Sequence, residues 1–433
     1  MANDFTKRPI EQFAKLNVLC GCGMHHEVTT KKLDFSGDIE EKLPDAIAQL
    51  LPTGNVLLVT EEDLYIPYAR RAEKAIRNDY LVTVHLFQSG FTPDVKDCGR
   101  LLNYGDGVGM VIAYGGGGVC DVAKYYASLY ALPLVTVCCS PHAGDVLSPY
   151  ALLHAGDGMK RMRAKAPDLF FLDTHAIEKA PQRLVAAGYG RVASMAVAVF
   201  DASFRLALRG GYYCQSIVNL CNHAISLALA EGEGLIAGNS ESRLALCKSL
   251  AYLGLIEQMI APHHLSGGEQ GVAELLKKQC RLYGGEAAFQ AAMRLIPLYK
   301  HYFEQEITAL LPPPDYARRA ELLEQLMGVS QKEYLVEVIR REPVNEGVEA
   351  HVINEYRKDF LSSLTALEAN ILRATTVFRR IYPDRGKLAA EAVSAGALRL
   401  AVGLGAELSE QYTMLTYLRD AGLLDELLSE EQV

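Results

Sequence analysis

The chain has 433 residues, half of them apolar and 22% charged, enough for two or three domains with cores of their own and too apolar for a disordered chain or a small disulfide scaffold. Its 43 basic and 52 acidic residues give a net charge of −9, which excludes a general nucleic-acid or anionic-lipid surface and leaves room for a local basic pocket. Ten cysteines at ordinary density, and a start (MANDFTKRPIEQ) without the apolar core of a signal peptide, point to a reduced cytoplasmic protein without disulfides.

Cys20, Cys22, His25 and His26 form the tightest group of soft ligands in the chain. The group lacks the second half of the usual structural zinc pattern, so it is read as a surface turn and no metal is assigned. Asn55 to Thr60 is a short β-branched run followed by helical spacing from Tyr68 to Arg77. Tyr80 to Phe87 alternates like a strand, Pro93 to Tyr104 reads as a connecting helix, and Gly109 to Tyr114 as a buried strand. Leu132 to Cys139 and Leu169 to Leu172 complete the strand series. Apolar strands alternating with amphipathic helices imply a doubly wound parallel sheet, an α/β nucleotide-binding domain over residues 1–179. The uncharged stretches Tyr125 to Gly144 and Gly210 to Ala230 approach membrane-spanning length, but internal prolines in the first and polar residues in the second make them interior segments.

Within the α/β part, Gly109 to Lys124 carries the strongest local signal. A buried strand runs into Gly115, Gly116, Gly117 and Gly118, and helical spacing resumes at once. Bare backbone N–H groups at a helix start favour a phosphate, and strand, glycines and helix are what a dinucleotide pyrophosphate requires. The spacing matches neither G-x-G-x-x-G nor the P-loop. Asp121 and Lys124 share one face of the helix's first turn; the acid also suits the helix dipole, and the lysine also reads as a surface charge. The run Lys160, Arg161, Arg163 and Lys165 is read as a solvated hairpin or loop, ahead of a phosphate-attracting patch.

From residue 180 to 433 the pattern becomes helical, in segments such as Val192 to Leu208, Cys214 to Glu231, Ser242 to Met259, Gly271 to Leu282, Glu286 to Gln305 and Tyr316 to Met327. Breaks fall at Pro312, Pro313 and Pro314, and at Pro343 to Gly347.

The segment Gly115 to Lys124 resembles the G-G-G-[ST]-x-x-D-x-A-K motif of the superfamily that holds dehydroquinate synthase, glycerol dehydrogenase and the iron-type alcohol dehydrogenases, with Gly118 in place of the hydroxyl residue. Cys20 to Val28, Lys160 to Gly190, Ser266 to Gln270 and Leu408 to Leu428 resemble its sn-glycerol-1-phosphate dehydrogenase branch. The resemblance implies NAD or NADP, a zinc or nickel ion in a cleft between two domains, and hydride exchange between glycerol-1-phosphate and dihydroxyacetone phosphate. It also implies a homo-oligomer.

The resemblance puts the metal's aspartate at Arg191, one histidine at Gln270 and the other on or near Tyr283. A guanidinium has no lone pair to give, and glutamine is a poor zinc ligand, so the family metal is expected to be missing. Arg191 is then a phosphate or carboxylate partner, or an ion-pair partner of Glu269 or Asp145. In Thr136 to Ser148, which resembles P-T-A-P-S-x-D-G-x-x-S, Cys139, Ser140 and Ser148 join the four glycines, Asp121 and Lys124 as candidate cofactor contacts. Asp145, Arg191 and His264 are the catalytic candidates; of the adjacent His263 and His264 at most one faces the site, and His142 is read as an ordinary loop histidine ahead of a substituted proton carrier. Three functions stand: a polyol-phosphate dehydrogenase, a silent relative that binds a nucleotide or phosphorylated metabolite, and a metal-independent enzyme acting on a phosphosugar or cyclitol.

Overall fold

Apolar β-branched runs of five to eight residues need both faces covered, and here they gather into one parallel sheet. The computed structural model describes residues 4–104, 107–156, 158–304, 314–340, 346–382, 393–409 and 411–428. Its strands are β1 Asn17–Leu19, β2 His25–Glu27, β3 Lys32–Asp34, β4 Asn55–Glu61, β5 Leu81–Phe87, β6 Val108–Gly115, β7 Leu134–Cys138, β8 Tyr150–Ala155, β9 Gly158–Arg163 and β10 Leu169–Leu172. Six of them form a sheet of order β3-β10-β7-β6-β4-β5, parallel at every pairing. The α/β reading holds, with additions: β3 joins the sheet edge, β1 and β2 form a hairpin, and β8 and β9 form another that carries the basic run Lys160 to Arg163. Three-residue strands are too short to show a period.

The sheet alternates. Val56, Leu58, Met110, Ile112, Val135 and Val137 lie on one buried face with Ile39, Leu43 and Ile47 of α1 (Ile39–Ala48) and Ala72 and Ile76 of α2 (Arg70–Ile76). A short helix, α3 (Val95–Leu101), follows β5, and α4 (Gly117–Leu129) follows β6 and packs back on it.

Beyond Leu172 the described residues form helices and no strand. They include α5 Gln182–Arg209, α6 Gln215–Ala230, α7 Ser240–Ile260, α8 Gly268–Gln279 and α9 Gly284–Glu304. Helix α5 is long and apolar enough to cross a membrane, yet 89% of its apolar window is buried in the protein, as suits a core helix. Tyr125 to Gly144 is a helix end, a strand and a loop. Pro312, Pro313 and residues 343–345 lie outside the described residues. None of the ten cysteines is in a disulfide.

The chain divides into two units. One comprises Met1–Gly188, Gln215–Leu227 and Ala237–His264; the other comprises Tyr189–Cys214, Ala228–Ile236 and Leu265–Val433. A single cut at residue 180 describes where strands give way to helices, whereas the chain passes between the units several times. Periodicity reports what an element is, not which core it joins.

In the first unit the loop after β7 is held from three directions. Lys124, 0% exposed, ion-pairs with Asp121 at 2.9 Å and donates to the carbonyls of Asp145 at 2.8 Å and Tyr150 at 2.5 Å. Gln258 of α7 donates to the Leu147 carbonyl at 2.7 Å. Gly188 lies so close to the loop that a side-chain carbon there would overlap the Pro141 carbonyl.

An ammonium with all three protons used inside the protein is a structural clamp, and removing it strands a buried carboxylate and two carbonyls. Lys124→Met is expected to cost about 3–5 kcal/mol of unfolding free energy in a denaturant titration. The double variant Asp121→Asn, Lys124→Met should recover part of that loss.

Candidate dinucleotide site and a buried acid pair

In a doubly wound sheet, ligands sit beyond the carboxyl ends of the strands where the strand order reverses. Here the chain runs from β4 outward to β5, then returns to β6 on the other side of β4, so the reversal lies between β4 and β6. The four glycines follow at the end of β6.

Gly116 is the N-cap of α4, and no side chain caps that helix. A side-chain carbon at Gly117 would meet nothing within 4 Å, whereas at Gly115 it would press on Val119 at 2.9 Å. The bare backbone at Gly117 therefore opens onto space at the start of a thirteen-residue helix, where N–H groups and dipole favour an anion. Around this turn, Ser140 Cβ lies 3.5 Å and His142 Cε1 3.6 Å from the Cβ position of Gly116. Ser140 Oγ and His142 Nδ1 are 2.5 Å apart. Phe91 and Pro93 lie 3.6 Å from the Cβ position of Gly118.

The other expected contacts take different places. Cys139 is in the core, its thiol raised well above the usual range by burial. Asp121 is held by Lys124, and burial still pushes its carboxyl up to about 6. Ser148 is buried and accepts from the Tyr150 N–H at 3.2 Å, shaping its own loop. Asp145 is exposed, with its carbonyl on Lys124. His264 lies just past the end of α7. In the basic run, Arg161 stacks on the Tyr150 ring at 3.6 Å and pairs with Glu257.

Sequence reading passed over Glu61, Phe91 and Pro93. Glu61 closes β4 beside the strand-order reversal, accepts the Gly90 N–H at 2.9 Å, and is raised by burial. The acid at the end of the run NVLLVTE was the available signal. Phe91 and Pro93 carry no local pattern that marks them.

The second unit has its own polar centre. Asp201 of α5 accepts the Gly268 N–H at 2.8 Å and the Met414 N–H at 2.9 Å, tying α5 to the starts of two other helices. Glu269 is 0% exposed, and among the described residues no side chain hydrogen-bonds either of its carboxylate oxygens. Burial pushes Asp201 up to about 7. Burial, and then the Asp201 charge, push Glu269 up to about 8, and the Arg191 guanidinium pulls it part of the way back. Arg191 thus acts on Glu269, one of the two partners proposed for it, while its Nη1 also touches Met195 Sδ at 2.9 Å. Gln270 follows in the first turn of α8; Tyr283 precedes α9, 39% exposed, its N–H on Glu286 at 2.8 Å.

Both folded carboxyls titrate above their unfolded values, so the folded state holds extra protons from about pH 4 upward and stability falls as pH rises, until about 8. Thermal melts between pH 5 and 8.5 are expected to show that decline, and Glu269→Gln should flatten it; an unchanged slope in the variant would contradict the assignment.

Residues 35–181 match the family described as iron-containing alcohol dehydrogenase. Glycerol-1-phosphate dehydrogenase [NAD(P)+] of Methanothermobacter thermautotrophicus is 29% identical over 205 residues, covering 42% of this chain and 58% of that enzyme, so the chain aligns with little more than half of that relative. The Bacillus licheniformis enzyme of the same name is 25% identical over 345 residues, 73% of this chain and 85% of that one. Among solved structures, maleylacetate reductase from Agrobacterium tumefaciens has a TM-score of 0.59 at 13% identity, covering 91% of this chain and 94% of that one. An alcohol dehydrogenase from an archaeal halo-thermophile of a Red Sea brine pool scores 0.58 at 14% identity, covering 94% and 98%. The fold, an α/β sheet followed by helices, is theirs. The chain is thus similar to the iron-containing alcohol dehydrogenases over residues 35–181, and distantly similar, at 25–29% identity, to these glycerol-1-phosphate dehydrogenases.

Proposed function

We propose that the protein binds NAD(H) or NADP(H) at Gly115 to Gly118 and exchanges hydride between it and a phosphorylated polyol of the glycerol-1-phosphate type. The observation that carries the cofactor is the open backbone at Gly117, on an uncapped helix start beside the strand-order reversal. Gly116, Ser140 and His142 line the same turn. The substrate class rests on the distant dehydrogenases named above.

The family's divalent metal does not fit the residues this chain offers. Arg191 presents a cation in place of a carboxylate, and Gln270 an amide in place of an imidazole. In this reading Arg191 supplies fixed positive charge to the substrate phosphate or to the oxygen that takes up charge as hydride arrives. His264 is the proposed proton donor to that oxygen, and Asp145 a candidate to assist it. The reduction consumes one hydride from the nicotinamide and one proton, and yields the secondary alcohol.

Gly117→Val should leave the melting temperature within a few degrees and weaken NADH or NADPH binding, followed by fluorescence, by at least about tenfold. With dihydroxyacetone phosphate as the oxidant, Arg191→Met should lower turnover by about 10²–10³ while nucleotide affinity holds. Saturable nucleotide binding without turnover on this substrate would instead favour a silent binding relative. Wild-type cofactor binding that is absent, or unaffected by Gly117→Val, would overturn the cofactor site itself. The pair Arg191→Asp, Gln270→His should gain one metal equivalent over the wild type if these positions are the ligands replaced.

A further inference from the structure

The β1–β2 hairpin carries a constellation that the dinucleotide site does not use. Its turn, Cys20 to Met24, is closed by the Cys20 N–H on the Met24 carbonyl at 2.9 Å and the Gly23 N–H on the Cys20 carbonyl at 3.0 Å. Gly23 sits at φ +85°, a left-handed conformation that a side chain would strain. The turn brings two cysteine sulfurs and the ring of His26 together: the ligand atoms of Cys20, Cys22 and His26 lie within 4.8 Å of one another. His25 points the other way, exposed, with its ring on Asn17.

His26 is fully buried, and its Nδ1 lies 2.8 Å from the carbonyl of Met259 on α7. A carbonyl only accepts, so Nδ1 carries the proton and Nε2 presents a lone pair. Nε2 faces Cys22 Sγ at 3.5 Å. A tetrahedral zinc bound at the usual Zn–S and Zn–N lengths separates a sulfur and a nitrogen ligand by about 3.5–3.6 Å, so this edge already has the span a metal would impose. Backbone-anchored Nδ1 with Nε2 turned inward is also how ligand histidines are oriented. On the side of α6, Cys20 Sγ contacts Ser216 Oγ at 3.8 Å. The N-cap of that helix, two residues earlier, is buried Cys214, the fourth member of this candidate ligand group.

We propose that Cys20, Cys22, His26 and Cys214 form a structural zinc site, distinct from the dinucleotide site and from the family's metal position. Three thiolates and one neutral imidazole are a standard closed zinc set. Binding releases the three thiol protons and leaves the centre with one net negative charge. Partly exposed Cys22 is the side from which the ion enters.

Tag-free full-length protein should contain one zinc per chain by elemental analysis, lost in Cys22→Ser and in Cys214→Ser. After removal of zinc with a chelator, cobalt(II) added to the wild type should give thiolate-to-metal charge-transfer bands and the intense visible absorption of a tetrahedral ion. In Cys22→Ser and Cys214→Ser the charge-transfer intensity should fall or vanish. The wild-type cobalt spectrum needs no variant to fold. Absence of thiolate bands would overturn the site, as would zinc retained in Cys22→Ser. Zinc and an unchanged cobalt spectrum in Cys214→Ser would remove that residue from the ligand set. Zinc at this site leaves the dinucleotide reading untouched, because nucleotide binding is followed separately by fluorescence.

Discussion

The buried ammonium of Lys124 fixes the geometry around the glycine turn. It sits on the first helix after that turn and reaches the backbone of the loop after β7, so the turn and the loop that faces it move as one piece. Burying an ammonium is costly, and the cost is offset only because all three protons find acceptors within the protein. Asp121 supplies the compensating charge, itself so desolvated that its carboxyl remains above its usual range. The pair works as a positioning device: it sets where Ser140 and His142 stand relative to Gly116 without its own charge facing the opening.

A second constraint acts through backbone proximity. Gly188 gives its side-chain space to the Pro141 carbonyl, and Gln258 holds the Leu147 carbonyl, so the loop is fastened to two helices as well as to Lys124. In the helical unit, Asp201 does the corresponding work by taking two backbone N–H groups from helix starts. Both units thus use one buried charged side chain to satisfy backbone groups that would otherwise be desolvated and unpaired.

Much of this was legible in the sequence because the signals are local. Long apolar runs and four consecutive glycines announce a strand, a turn and a helix without reference to anything distant, and the structure has them where the residues place them. Lys124 shows the limit. Its spacing from Asp121 was visible, but its two carbonyl acceptors lie 21 and 26 residues away and carry no sequence mark, since every residue has a carbonyl. Cys139 was misleading for a related reason: alternation along β7 and just beyond turns it into the core, where a motif comparison places a cofactor contact. Cys20 and Cys22 were visible as a pair, while Cys214 is far away in sequence, so the missing half of the zinc pattern could not be found by spacing alone.

The charge around Arg191 follows from the same desolvation logic. On the proposed reading a guanidinium brings one positive charge where the family's ion would bring two, and, unable to exchange ligands, it acts by hydrogen bonds and field alone. That field is useful to an anionic substrate only if it is not already neutralised. Two ionised carboxylates nearby would make the pocket net negative and repel a phosphate. Burial instead holds Asp201 up to about 7, and burial followed by the Asp201 charge holds Glu269 up to about 8, so around neutrality Glu269 is mostly protonated and Asp201 partly so. The Arg191 guanidinium and the backbone N–H groups of Glu269 and Gly267 pull the Glu269 carboxyl only part of the way back, so desolvation decides its protonation. A buried acid that stays protonated thereby adds no negative charge of its own beside Arg191.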